Sequence, residues 1–329
     1  MEVQNRDELC FPQLLNSSCK KPTFQWTEPA LHKFLMSFIS LITVALNLLV
    51  IISISHFRKL HTPTNIILLS LAVTDFLVGL VLMPAEMLRG TSCWFLGDNI
   101  CVLYYYLICS ALSASNGNII LISVDRYLAI CHPLHYSIRI TLARAKSSVC
   151  LCWLYYAVYC IFCMRYDLIQ PGRSNSCIGE CEFAIDHSTR TVDLILNFIL
   201  PVTVIVVLYM RVFVAALSQA RVVHLRTTVF TLQNSINLKP RRSEFKAART
   251  LGILVLVYLI CYSPYYVYSF VVVYVTSSSY ASFVFVLFFL NSCINPLIYA
   301  FFYAWFRKSV KLIVTLQILQ PGSSEASVL

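Results

Sequence analysis

The chain has 329 residues, of which 58% are hydrophobic and 12% are charged, and its net charge is +10. Soluble domains carry about 25% charged residues, so this composition excludes an ordinary soluble enzyme. A cationic chain can bind nucleic acid, but here the basic residues cluster between long apolar segments, which indicates a membrane protein instead.

Seven long apolar segments divide the chain. Each has about 18 or more mostly apolar residues, enough to cross a hydrocarbon core of about 30 Å as a helix. The segments are too long and alternate too little for a β-barrel. The sequence therefore predicts an all-α membrane protein, a seven-transmembrane helix bundle, with spans centred on residues 34–56, 64–88, 99–124, 148–166, 192–216, 248–274 and 282–303.

The charges between the spans predict the orientation of the bundle. If the N-terminus is extracellular, most Lys and Arg residues face the cytoplasm and most acidic residues lie outside, as the positive-inside rule requires. We therefore expect a multi-pass protein of the plasma membrane. Its parts are an extracellular tail (1–33), the bundle (34–304) and a cytoplasmic membrane-surface helix with a C-terminal tail (305–329).

The N-terminal tail begins without a basic segment followed by an apolar run, so we expect no cleaved signal peptide. It contains the sequon Asn16-Ser17-Ser18, which predicts glycosylation of Asn16 if the tail is extracellular.

The 14 cysteines fall into two groups. Eight lie in or near spans, where a thiol usually packs as a small apolar residue: Cys109, Cys131, Cys150, Cys152, Cys160, Cys163, Cys261 and Cys293. The other six lie on the oxidising side and can pair in fifteen ways: Cys10, Cys19, Cys93, Cys101, Cys177 and Cys181. Cys177 and Cys181 lack the second ligand pair of a zinc site, so disulfides are favoured over a metal.

Polar and ionic residues lie inside the spans and at their cytoplasmic ends. The third span ends in Asp125-Arg126-Tyr127, and Glu244 before the sixth span could pair with Arg126. In the seventh span, Asn295-Pro296 predicts a kink. Carboxylate, hydroxyl and amide oxygens inside the membrane form the ligand set that a small hard cation prefers, the one cofactor expected: Asp75, Ser115, Asn291, Ser292 and Asn295.

These motifs, in order along the whole chain, resemble the rhodopsin-like family of G-protein-coupled receptors. The resemblance rests on Asn47, LAVTD ending at Asp75, Cys101, Asp125-Arg126-Tyr127, Trp153, Pro201, Tyr209, Pro264 and NPLIY ending at Tyr299. Three further strings are similar to trace amine-associated receptors, namely NSCINPLIYAFFYAWF from Asn291 to Phe306, KAARTLGI, and Cys-x-Gly-x-Cys at 177–181.

The resemblance implies a receptor whose ligand enters from outside and whose fifth and sixth spans then shift. Arg126 would release Glu244 and engage a heterotrimeric G protein, with Tyr209, Pro296 and Tyr299 in the switch. In most of this family the G protein stimulates adenylyl cyclase, and most members are olfactory receptors for amines. The resemblance also implies the disulfides Cys101–Cys181 and Cys19–Cys177, and leaves Cys10 and Cys93 unassigned.

The expected anchor for the ammonium group of an amine is absent. Aminergic relatives carry an aspartate in the third span, seven residues after the bridging cysteine, where this chain has Ile108. Phe289 likewise replaces a tyrosine that often contacts that aspartate. We predict that Asp193, in the fifth span, pairs with the ammonium instead, as in a group of fish members. The alternatives are a hydrated Asp193 or a pair with Arg190, in which case the ligand need not be an amine.

Further ligand contacts are predicted around Asp193, although aromatic stripes in bundles are more often packing. They are Ile108, Cys109, Leu112, Asn197, Tyr262, Tyr265, Tyr266, Ser269, Phe285 and Phe289. Glu86 could bind a second ammonium, so that a diamine or polyamine is a candidate ligand, or it could attract cations only at long range.

Two further positions differ from relatives in ways that bear on the switch. Tyr262 stands where relatives have tryptophan, and Asn116 stands where they have an aliphatic residue.

A membrane transporter and an enzyme remain as weaker alternatives, because inverted repeats, a phosphate loop and hydrolase motifs are not evident in the sequence.

Overall fold

A computed structural model describes residues 9–14, 16–21, 27–183, 185–230, 241–271 and 278–328. Within them, seven helices are long and apolar enough to cross a membrane, which confirms the predicted all-α bundle. These described residues form no strand. They form only isolated bridges: one within the N-terminal tail, one within the loop between the fourth and fifth spans (the second outer loop), and one between the two. The side chains of residues 219–230 and 241–251 lie outside the description, and the predicted role of Glu244 lies there too.

The spans follow the predicted segments, and each begins before its predicted start. The fourth ends three residues and the seventh one residue before its predicted end. In chain order they are Thr27–His56; Pro63–Leu77 with Val78–Leu82 and Met83–Thr91; Asp98–Cys131; Leu142–Cys163; His187–Leu194 with Ile195–Ile199 and Leu200–Phe230; Arg241–Val271; and Ser278–Phe302. The shorter helices are Arg58–Leu60, Pro133–Arg139, Arg165–Ile169, Ala304–Val314, Gln317–Leu319 and Ser323–Glu325.

The fourth span begins earlier than the apolar segment indicates. Its helix starts at Leu142, six residues before the predicted 148, because the side chain of Thr141 accepts a hydrogen bond from the Arg144 amide at 3.3 Å. A polar first turn therefore extends the helix beyond the hydrocarbon core.

The proline of the fifth span changes the local hydrogen bonding. Pro201 has no N–H and cannot donate to the carbonyl of Asn197, four residues earlier. That carbonyl accepts hydrogen bonds from Asn116 Nδ2 at 3.2 Å and from the Tyr258 hydroxyl at 3.1 Å. Side chains of the third and sixth spans thus meet the backbone of the fifth at its proline.

The seventh span shows the same arrangement. Pro296 cannot donate to the carbonyl of Ser292, and this oxygen accepts a hydrogen bond from Asn47 Nδ2 at 3.0 Å. Neighbouring spans must supply such donors because the hydrocarbon core offers no water. Asn47 and Asn116 are consequently both buried.

Three disulfides fasten the outer end of the bundle. Cys101–Cys181 and Cys19–Cys177, the pairs implied by the resemblance, are both present. The two cysteines left unassigned form the third, Cys10–Cys93. The N-terminal tail is therefore attached to both the first and the second outer loop.

Glycine is required where the tail meets the second outer loop. Gly179 has φ +107°, and a Cβ at this position would come within 3.0 Å of the Cβ of Cys10. Its carbonyl accepts a hydrogen bond from the Trp94 amide at 2.8 Å, which joins the two outer loops. The Cys-x-Gly-x-Cys motif is thus a compact corner between three chain segments.

The assignment of Cys109 and Cys160 as packing thiols is wrong. The two cysteines form a disulfide between the third and fourth spans. Sequence alone could not pair them, because they lie 51 residues apart and on different helices. The remaining six cysteines of that group are free thiols.

The segment after the seventh span is an amphipathic helix, as predicted. In Ala304–Val314, Trp305 and Phe306 are buried against the bundle, while Arg307 and Lys308 are exposed. This division of apolar and basic faces is typical of a helix that lies in a membrane interface.

We expect the double substitution Cys10→Ser/Cys93→Ser to lower the thermal stability of the purified receptor by several degrees, because the tail loses its attachment to the first outer loop. The measurement is a thermal melt in detergent. Cys150→Ser, which replaces an exposed free cysteine, serves as the control and should melt like the wild type. Equal melting of all three proteins would contradict the prediction.

Candidate ligand-binding site

A cavity of about 500 Å³ lies in the outer half of the bundle. Spans two to seven and the second outer loop all contribute to its wall. The lining residues are Glu86, Arg89, Tyr104, Tyr105, Ile108, Cys109, Leu112, Ser113, Asn116, Cys163, Met164, Glu182, Phe183, Ile185, Thr189, Asp193, Tyr265, Tyr266, Tyr268, Phe285 and Phe288.

Asp193 is the deep carboxylate of this cavity. Its Oδ1 accepts hydrogen bonds from the Tyr159 hydroxyl at 2.9 Å and from Asn197 Nδ2 at 2.7 Å. The widened turn Ile195–Ile199 follows directly, and the chain reaches Pro201 below it. These neutral donors orient the carboxylate without neutralising its charge.

Arg190 does not neutralise Asp193. Its guanidinium donates to the backbone carbonyls of Ser269 at 2.9 Å and of Ile185 at 3.2 Å. Among the described residues, no ion pair includes Asp193. The Asp193 carboxylate is therefore partly accessible and lines the cavity, and it has no cationic partner among the described residues.

The outer rim of the cavity has a different electrostatic arrangement. Arg89 donates to both oxygens of Glu86, at 2.7 and 2.9 Å, and Tyr104 donates to the same carboxylate. Arg89 also reaches Glu182 at 3.1 Å. Burial raises the pKa of the Glu182 carboxyl, and the guanidinium of Arg89 offsets part of that rise. The Glu86 charge is thus paired with a cation, whereas Asp193 has no such partner among the residues that the structure describes.

Aromatic rings form much of the wall between these two regions. Tyr265 packs on Phe288 with ring centroids 4.6 Å apart, and on Tyr266 at 5.3 Å. Across the cavity, Tyr105 stacks on Phe183 at 5.1 Å. Aromatic faces attract cations and also cover apolar groups, so the cavity suits a small molecule with one cationic and one apolar end.

Most of the predicted contacts line this cavity: Glu86, Ile108, Cys109, Leu112, Asp193, Tyr265, Tyr266 and Phe285. Cys109 does so as half of a disulfide. Four predicted contacts are absent from the lining: Asn197, Tyr262, Ser269 and Phe289.

Each of these four side chains is buried or hydrogen-bonded away from the cavity. Asn197 is buried one turn deeper and holds Asp193, while the Ser269 hydroxyl donates to the Tyr266 carbonyl at 2.9 Å. Tyr262 is 1% exposed and packs on Phe288 at 4.7 Å. Phe289 is fully buried, because successive helical residues point about 100° apart and its neighbour Phe288 takes the cavity side.

Three residues at or beside the cavity were not predicted as part of the ligand site: Arg89, Tyr159 and Asn116. Arg89 lies three residues after Glu86 in one helix, a spacing that predicts their ion pair. The sequence gives no comparable signal for Tyr159, because a tyrosine in an aromatic-rich span is usually a packing residue. The sequence relates Asn116 to the conformational switch, but Asn116 also lines the ligand cavity.

The end of the bundle opposite the cavity holds a second polar cluster. Asp125 accepts hydrogen bonds from Thr64 and Tyr136, both at 2.8 Å, and from Arg126 Nε at 3.0 Å. Tyr127 contacts His132 at 3.2 Å through its hydroxyl. Arg126 is therefore paired with its own neighbour and held beside the second span.

A third polar cluster lies at the centre of the bundle. Asn295 Nδ2 donates to Asp75 at 2.8 Å, and Ser115 donates to the same carboxylate at 3.5 Å. Asn291, Ser292 and Asn295 each retain a buried oxygen that receives no hydrogen bond from a described residue. Tyr299, whose hydroxyl also lacks a described partner, is fully buried; Tyr209 in the fifth span stacks on Phe213.

Comparison with known proteins gives a consistent result. The family described as "7 transmembrane receptor (rhodopsin family)" matches residues 46–299. Trace amine-associated receptor 13c of Danio rerio is 38% identical over 330 residues, which cover 97% of this chain and 95% of that protein. In Mus musculus, trace amine-associated receptor 7e is 35% identical over 96% of this chain and 91% of its own, and trace amine-associated receptor 1 is 36% identical over 89% and 91%.

We expect Arg89→Met to destabilise the receptor by about 3 kcal/mol, because the buried carboxylate of Glu86 then loses its counter-ion. The double substitution Glu86→Leu/Arg89→Met should recover at least half of that loss, since it removes both charges together. Thermal melts of the two variants measure the difference. A double variant that is no more stable than the single one would contradict the prediction.

Proposed function

The chain belongs to the trace amine-associated receptors of the rhodopsin family, and from this premise we propose that it is a receptor for an extracellular amine whose ammonium pairs with Asp193. Membership makes it a multi-pass membrane receptor that couples to a heterotrimeric G protein, and not an enzyme. The ligand, its anchor and the type of G protein are the proposed parts.

One observation carries the proposal. Asp193 lines the cavity, is held by Tyr159 and Asn197, and has no ion-pair partner among the described residues. An unpaired carboxylate at this depth is costly, and a cationic ligand would offset that cost. The apolar Ile108 leaves the third span without a competing anchor.

We propose a ligand with a single ammonium group. A diamine or polyamine would need a second available carboxylate, and Glu86 already receives hydrogen bonds from Arg89 and Tyr104. Glu182 shares the same guanidinium. Their role is then to attract cations toward the mouth of the cavity.

Signal transmission would run to the opposite side of the membrane. We propose that the N-terminal tail is extracellular, that Asn16 is glycosylated, and that the receptor lies in the plasma membrane. At the cytoplasmic end, release of Arg126 from Asp125 would free a guanidinium for the G protein. We propose a stimulatory G protein, which raises cAMP, and an olfactory setting, as the resemblance implies.

The central polar cluster fits a sodium ion. Asp75 supplies a buried carboxylate, and nearby amide and hydroxyl oxygens remain without described donors. Oxygen ligands of this kind suit a small hard cation. Ser115, Asn291, Ser292 and Asn295 would complete the set.

We expect Asp193→Asn to raise the EC50 of active amines by at least about 100-fold, or to abolish the response, because the variant loses the counter-ion of the ammonium. The measurement is a cAMP reporter in cells that express the full chain, challenged with monoamines and diamines. Asp186→Asn is the matched control. Asp186 caps the same span but does not line the cavity, so its variant should respond like the wild type.

The proposal is overturned if a well-expressed wild type ignores every amine, or if Asp193→Asn responds normally. Surface expression is measured for each variant. A Glu86→Gln variant run in parallel tests the single-ammonium part, because a selective loss of diamine responses would contradict it.

We expect Tyr159→Phe to weaken amine responses by about 5- to 10-fold, since it removes one hydrogen bond that orients Asp193 but keeps the ring. Tyr155→Phe, on the exposed face of the same span, is the control and should leave the EC50 unchanged. An unchanged EC50 in Tyr159→Phe would show that Asp193 needs no such orientation. The same reporter measures both.

A further inference from the structure

One residue in the wall of the cavity, Asn116, has a buried acceptor that the proposed ion pair leaves unused. Asn116 lines the cavity and is 2% exposed, and its Oδ1 receives no hydrogen bond from any described residue. An unsatisfied buried amide oxygen costs free energy, so a donor on a bound ligand would be stabilising there. The usual aliphatic residue at this position offers no such acceptor.

The orientation of this amide is determined by its other contact. Asn116 Nδ2 donates to the Asn197 carbonyl at 3.2 Å, so Oδ1 is the atom left without a donor. Asn197 in turn donates from its Nδ2 to Asp193 at 2.7 Å. A single residue therefore connects Asn116 to Asp193, and both line the same cavity.

Asp193 also has acceptor capacity left. The hydrogen bonds from Tyr159 and Asn197 both go to Oδ1, and the Tyr266 hydroxyl also hydrogen-bonds this carboxylate. An ionised carboxylate accepts about four hydrogen bonds in all. The carboxylate and the Asn116 oxygen together offer more than one acceptor to a cationic donor. Asn197 Oδ1 likewise lacks a described donor, but Asn197 does not line the cavity.

Resting on the proposed function, we propose that Asn116 is a second contact for the ammonium group and makes the receptor selective for primary amines. A primary ammonium has three N–H donors, so it can satisfy Asp193 and Asn116 at once. A tertiary ammonium has one N–H donor, so one of the two acceptors receives no hydrogen bond from the ligand. A quaternary ammonium has no N–H donor, so neither acceptor receives one.

Hydrophobicity alone predicts the opposite order. Each added N-methyl group increases the apolar surface that this aromatic cavity could bury, which favours the methylated ligands. A loss of potency with methylation therefore reports hydrogen bonding and not apolar contact.

The test measures cAMP responses of the full-length receptor to phenethylamine and its N-methyl, N,N-dimethyl and N,N,N-trimethyl derivatives, with the isopentylamine series beside it. In the wild type, EC50 should rise at least about 10-fold from the primary to the dimethyl amine. In Asn116→Leu this ratio should fall below about 3-fold, mainly because the primary amine becomes weaker.

Tyr258→Phe separates ligand contact from a structural effect. It removes the other side-chain donor to the same Asn197 carbonyl but leaves Asn116 Oδ1 in place. If Asn116 contacts the ligand, Tyr258→Phe keeps the wild-type ratio. If the two variants lower the ratio equally, Asn116 serves only the backbone of the fifth span and the proposal fails.

The wild-type series tests the proposal even if Asn116→Leu does not reach the cell surface. Equal potency of primary and dimethyl amines, with responses that still require Asp193, overturns the role of Asn116 and leaves the amine receptor intact. A wild type that ignores all amines overturns the proposed function itself. An unchanged ratio in a well-expressed Asn116→Leu also overturns the role of Asn116.

Discussion

Hydrogen bonding of the backbone inside the membrane is the constraint on which this structure depends. Pro201 and Pro296 each deprive a carbonyl of its helical donor, and no water is available in the hydrocarbon core to replace it. Asn116 and Tyr258 donate hydrogen bonds to the Asn197 carbonyl, and Asn47 donates one to the Ser292 carbonyl. The two prolines therefore require polar side chains from neighbouring spans. These side chains bring polarity into the bundle at the levels of the ligand cavity and of the Asp75 cluster.

The ligand cavity follows from this arrangement. The residue that loses its helical donor, Asn197, uses its side chain to hold Asp193, and its partner Asn116 reaches the cavity. A series of hydrogen bonds through Asn197 thus links the Asp193 carboxylate to the third span. The rim is organised separately, because Arg89 is shared between Glu86 and Glu182. The deep carboxylate of Asp193, which has no ion-pair partner among the described residues, therefore lies below a rim whose acidic groups share a guanidinium.

The outer and inner ends are stabilised in different ways. Three disulfides tie the N-terminal tail and both outer loops together, so the entrance is covalently defined. At the opposite end, the described residues hold Asp125, Arg126 and Thr64 by hydrogen bonds and one ion pair. A covalently closed outer end and a reversibly bonded inner end suit a receptor whose ligand site persists while its inner crevice opens.

The sequence by itself determined the seven spans, the family and the carboxylate Asp193, because hydropathy, proline motifs and an ionisable residue inside an apolar run are local signals. It could not determine which side of a helix faces the cavity. Phe288 and not Phe289 lines the wall, and Asn197 supports Asp193 from below. The pairing of Cys109 with Cys160 and the hydrogen bond from Tyr159 likewise join residues on different helices. Only the tertiary structure decides such matters, since they depend on helix rotation and on neighbours that are remote in the chain.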